Sequence, residues 1–132
     1  MEVIKYRENH IKIDKPILLY KALLNAGEAM GLTNADIADV VGLKQDQMNG
    51  IINPESKEGT LALYLIRSYR SLYSLVDGDE EEMKLWMHGQ NTATGGIPAQ
   101  QVKCSEELVH VMKYLEDMSQ KKDALLKNNE QI

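Results

Sequence analysis

The sequence contains no phenylalanine, one tryptophan, one cysteine and three prolines. The single cysteine, Cys104, excludes an internal disulfide and a cysteine-based zinc site. With no Phe, one Trp and six Tyr, Leu, Ile, Val and Met must carry the core, which suits helix-on-helix packing better than a β-sandwich. Long apolar runs are also missing. The longest, Leu61 to Ile66, is far too short to span a membrane. The first residues, MEVIKYREN, are charged at once and offer no apolar signal core. A reducing cytoplasm is the expected compartment. His10, His88 and His110 are far apart and share no metal-ligand spacing with Cys104. Gly95-Gly96 lacks the Lys-Ser/Thr of a phosphate loop. No catalytic constellation stands out, so neither enzymatic activity nor a metal or cofactor is expected.

What is present is 132 residues of ordinary soluble composition, 43 % hydrophobic and 27 % charged, with a net charge of −5. The charge is uneven. Residues 1–76 are neutral overall, and the whole deficit lies in residues 77–132. Nucleic acid would therefore have to meet the front half, while the acidic back half suits a basic partner protein.

The apolar spacing predicts an all-α fold of about seven helices. Residues 1–15 read as an N-terminal arm in which Val3, Ile4, Tyr6, Ile11 and Ile13 follow no clear period. Pro16 fits the first turn of a helix that continues to Met30. Thr33 and Asp36 form a capping-box pair for a short helix ended by Gly42. A second short helix is expected over 44–52, stopped by Asn53-Pro54. Together, 16–58 read as a helix-turn-helix module: Ala38, Gly42, Leu43, Met48 and Ile51 have the spacing of two helices crossing steeply. In that reading the second helix enters a major groove. Gln45, Gln47 and Asn49 would read bases, and Lys44 and Lys57 would meet phosphate. A helix–Gly–helix corner without DNA contact fits the same residues, and Asp46 among the proposed contacts repels phosphate.

A central connecting helix over 59–76 carries two apolar stripes, Leu61-Leu65-Leu72-Leu75 and Leu63-Ile66-Tyr69-Tyr73, and should be covered on two sides. Asp79 caps an acidic-started helix whose Met83, Trp86 and Met87 should face inward. A Gly-rich loop follows, then a short helix from Pro98. Ser105 is expected to cap a last helix with Leu108, Val111, Met112, Leu115 and Met118 as its seam. In the charged segment 119–132, Leu125 and Leu126 could extend the helix, but Asn128, Asn129 and Gln131 predict fraying.

The run from Trp86 to Val102 carries more specific information. Its order resembles the C-terminal toxin-binding module of the Xre/MbcA/ParS antitoxins, whose pattern is close to W-L-x-x-x-N-x-A-L-G-G-x-x-P-x-x-L. Trp86, Met87, Asn91, Ala93, Thr94, Gly95, Gly96, Pro98 and Val102 fill those places. Thr94 stands where leucine is usual. Ser119 to Ile132 lacks the glycine and aromatics common in the family's tails. By residue type alone, Trp86 reads as a core anchor, Asn91 as a turn former, the glycines as positive-φ positions and Pro98 as a helix start, a structured loop between two helices. The resemblance assigns 77–118 as a toxin-binding module with Asn91, Gly95, Gly96 and Pro98 as its candidate contacts. It implies an antitoxin that occludes a RES-domain or ADP-ribosyltransferase-like toxin, enzymes that consume NAD or modify a protein. It also implies a homodimer that represses its own operon by binding operator DNA. The alternative is a stand-alone helix-turn-helix regulator whose C-terminal module only dimerises.

Overall fold

The computed structural model describes residues 14–130, and the expected N-terminal arm falls almost wholly outside them. Six α-helices follow one another: α1 Lys15–Ala29, α2 Asn34–Val41, α3 Lys57–Leu75, α4 Glu80–His88, α5 Pro98–Gln101 and α6 Ser105–Glu130. Among the described residues, the one other helical element is a three-residue 3₁₀ turn, Gln45–Gln47. The fold is all-α, as the composition predicts.

Local chemistry fixes most of the helix ends. Asp14 caps α1, and Pro16 sits in its first turn. Gly31 (φ 79°) turns the chain out of α1. Thr33 and Asp36 close the expected capping box: the Asp36 N–H donates to Thr33 Oγ1 at 3.1 Å, and the Thr33 N–H to Asp36 Oδ2 at 3.0 Å. Gly42 ends α2 in the left-handed region, and the Leu43 N–H returns to the Ala38 carbonyl at 3.0 Å.

The central helix α3 is the strut. Its Leu61, Leu65 and Leu72 are buried, as are Leu108, Val111, Met112 and Leu115 of α6, and α3 and α6 share the main helix–helix interface. α1 packs on the other side of α3. Cover on that second stripe is incomplete: Ile66 is buried, but Leu63 and Tyr73 are about half exposed. Arg67 reaches across to Glu116 in a two-pronged pair, 2.9 Å from Nε and 2.8 Å from the terminal nitrogen. The two halves of the chain thus share one core, with no linker between them.

Three expected helix limits differ from the structure. The helix expected over 44–52 is not formed. After Gln47 the chain leaves helical geometry, Gly50 adopts φ 100°, and the Ile52 N–H bonds the Pro16 carbonyl at 3.1 Å instead of a carbonyl one turn back. The last helix begins at Ser105 itself, and the Leu108 N–H bonds Cys104 O at 2.8 Å, so the cap lies one residue earlier than Ser105. The segment beyond Ser119 does not fray at once but stays helical through Glu130. Lys, Ala and Leu dominate it and are strong helix formers. Lys121 pairs with Asp117 one turn back at 3.2 Å. Lys122 binds the Ser74 carbonyl and Asp77 Oδ1 (2.8 Å) at the end of α3.

Lys103 ties the back of the molecule to the front through an ion pair with Asp36, at 2.7 Å. The Lys103 ammonium first, and then the Thr33 N–H, hold the Asp36 carboxyl below the usual carboxylate range. A depressed folded-state pKa contributes stability above the unfolded value, and that stability is lost as pH falls through the folded value. Asp36→Asn keeps the capping oxygen and removes the charge. Because the pair is partly exposed, its expected cost at neutral pH is about 0.5–1 kcal/mol. The gap from the parent protein should close in acid, and urea unfolding at a series of pH values measures it.

Candidate partner-binding site

The C-terminal module is built from α4, the loop 89–97 and α5, seated on α6. The Asp77-Gly78 turn, with both residues at positive φ, reverses the chain after α3. Asp79 Oδ1 then accepts the N–H groups of Glu81 (3.0 Å) and Glu82 (3.3 Å) and starts α4. Met83 and Met87 are fully buried and fix one face of α4 on the core. Trp86 is not the buried anchor expected of it. It is half-buried, lying flat on the Tyr114 ring with centroids 6.4 Å apart and planes within 7°. Beside it Leu85 is 72 % exposed. Glu81, Lys84, Leu85, His88 and Gly89 line a shallow depression of about 500 Å³. The Nε2–H of His88 donates to the Gly31 carbonyl at 3.1 Å, pinning the end of α4 to the α1–α2 corner.

The loop is held by its own side chains. Asn91 Oδ1 accepts from the Ala93 and Thr94 N–H groups at 2.9 and 3.2 Å. The Asn91 N–H donates to Gly96 O at 2.8 Å, and Gly96 N–H donates back to Asn91 O at 3.1 Å, forming an isolated antiparallel bridge. Gly95 (φ 84°) closes the turn. Gly96 lies so close to Gln101 that an added Cβ would sit 3.2 Å from its amide carbon. Gln101 is buried and donates from Nε2 to the Thr94 carbonyl at 2.7 Å. Pro98 is buried at the start of α5.

The four residues singled out from sequence are therefore brought together, but mostly as builders of the loop. Asn91, Gly96 and Pro98 are engaged internally, and Gly95 lies at the exposed tip with Thr92 and Ala93. Thr94, in the place usual for leucine, is buried. Sequence reasoning missed Gln101, which clamps the loop from α5. A glutamine at the last position of a four-residue helix carries no local sign of burial.

Residues 71–121 match the family model of the antitoxin Xre/MbcA/ParS C-terminal toxin-binding domain. The match covers α4, the loop and α5, with the end of α3 and most of α6, and supports an antitoxin role. It begins after the front half of the chain. No curated protein matches. Among the described residues, no group of His, Cys, Asp or Glu is arranged to hold a metal, and no helix is long and apolar enough to cross a membrane.

The proposed nucleic-acid contacts sit on less regular structure. Lys44 precedes the 3₁₀ turn, Gln45 and Gln47 are on it, Asn49 follows it and Lys57 opens α3. All five are exposed. Gln47 Oε1 is already engaged by the Lys44 N–H at 2.9 Å.

Proposed function

We propose that this chain is the antitoxin of a toxin–antitoxin pair, neutralising its toxin by direct binding through the module around α4 and α5 and catalysing nothing. The observation that carries the reading is the toxin-binding-domain match over residues 71–121, on a module whose loop is held by its own hydrogen bonds and whose α4 presents Leu85 outward. The RES-domain or ADP-ribosyltransferase-like character of the toxin follows from the resemblance in the Trp86–Val102 pattern. So does the homodimer, which light scattering across a wide concentration range tests.

The direct test is co-expression with the protein of the adjacent reading frame. Growth should be restored and the two proteins should co-purify. A toxin that stays fully active in excess antitoxin overturns the reading.

Operator recognition by the front half is part of the family expectation, and so is the rival reading as a stand-alone regulator. Both need side chains presented on successive turns of a helix lying in the major groove. With Gln45 and Gln47 on a single 3₁₀ turn, we expect the purified chain to show no preference for its own promoter over random duplex in a low-salt gel shift. A clear preference, lost in Gln45→Ala, would restore the DNA-reading role to this turn.

A further inference from the structure

Leu85 has the highest exposure of any large apolar side chain among the described residues, at 72 %. A lone exposed leucine is ordinary; this one has three further properties. It stands on a helix face that cannot shift easily. Met83 and Met87 are locked in the core, Trp86 is stacked on Tyr114, and His88 is pinned to Gly31 O. It borders the depression lined by Glu81, Lys84, His88 and Gly89. It also follows Glu81 and Glu82 by four and three residues, so those carboxylates share its side of α4. Asp79 and Glu80 add to the negative charge at this end, against Lys84 on the same helix; Asp77 is already paired with Lys122 at 2.8 Å.

We propose that Leu85 is the anchor of the partner interface, inserting into an apolar pocket of the toxin whose rim carries Lys or Arg side chains that meet Glu81 and Glu82. This rests on the antitoxin reading and names the surface that performs it. The occupant is argued from charge. A second copy of the same face would set carboxylate against carboxylate, whereas a basic rim meets both requirements. A rigid, pre-positioned apolar anchor loses little freedom on binding, which is how one side chain comes to carry much of an interface.

The test is calorimetric titration of the full chain with the purified protein of the adjacent reading frame. Leu85→Ser is expected to raise Kd by about tenfold or more, and Leu85→Glu by about a hundredfold. Glu81→Lys with Glu82→Lys should raise Kd several-fold and flatten its salt dependence. Leu63→Ser, an equally polar change at an exposed leucine outside residues 71–121, should leave Kd unchanged. Urea midpoints within error of wild type for the Leu85 variants establish that the surface, not the fold, has changed. If wild type fails to bind, the antitoxin reading itself falls. If wild type binds and both Leu85 variants bind within about twofold of it, or Leu63→Ser weakens binding as much, the anchor assignment is overturned while the antitoxin reading stands.

Discussion

Met83→Ala is expected to lower the free energy of unfolding by about 2–4 kcal/mol, the range for emptying a buried methionine site that cannot collapse. Met83 has no accessible surface and lies one turn into α4, just after the Asp79 cap. The chain cannot close the space by sliding α4. The cap fixes its start, and the His88 bond to Gly31 fixes its end. Leu85→Ala, two residues along, faces solvent and should change stability by less than about 0.5 kcal/mol. The contrast separates the two jobs of this short helix: one face is bonded to the core, the other is free for a partner. Urea unfolding followed by far-UV circular dichroism measures both variants. A loss below about 1 kcal/mol for Met83→Ala would mean that α4 is held chiefly by its cap and by the Trp86–Tyr114 stack. Partner affinity should fall with Met83→Ala as well, because the Leu85 face would lose its fixed orientation.

The features legible in the sequence are those decided by neighbours a few residues apart. The Thr33/Asp36 box, the left-handed Gly42, the Asp79 cap and the Pro98 start each need only one turn of chain to be satisfied, and each is where the spacing puts it. The seam of α6 is equally plain because it repeats. What the pattern could not decide was competition between a local preference and a distant partner. Met48, Ile51 and Ile52 have helical spacing, yet the Ile52 N–H finds Pro16 O and Gly50 takes a left-handed φ, so that segment runs irregularly. Trp86 has the spacing of a core residue, but Met83 and Met87 fill the buried face of a nine-residue helix and leave the indole to stack at its edge. In the loop, the turn-forming roles that the residue types suggest are the ones found. Asn91, Gly96 and Pro98 shape the turn, and the exposed leucine that no motif marks is one residue before the tryptophan. The helical run from Ser119 to Glu130 was lost to its asparagines, although Lys122 reaches Asp77 from forty-five residues away.

Gly59→Ala should destabilise the fold by about 1–3 kcal/mol, the usual cost of forcing an extra methyl into a packed site. Helix propensity predicts the opposite sign: in the first turn of α3, replacing glycine by alanine would ordinarily gain up to about 1 kcal/mol. The deciding fact is space. A Cβ on Gly59 would run into the Asn53 carbonyl oxygen and would lie 2.9 Å from Pro54 Cα and 3.0 Å from Pro54 C. These are backbone atoms, and they are not free to move. Asn53 O accepts from the Ser56 N–H at 3.0 Å and from the Ser56 hydroxyl at 2.6 Å, and Asn53 Oδ1 holds the Glu55 N–H at 3.0 Å. The same Ser56 hydroxyl caps α3 by accepting the Gly59 N–H at 3.0 Å. Relief of the clash therefore breaks either the Asn53 turn or the cap of the central helix. Both routes loosen the ground on which Leu61 and Ile52 are buried. Thermal unfolding of Gly59→Ala beside Thr60→Ala, an exposed neighbour, isolates the effect. If Gly59→Ala instead raises the midpoint, the close passage of Asn53 and Pro54 over the start of α3 is wrong, and the glycine is there for no steric reason.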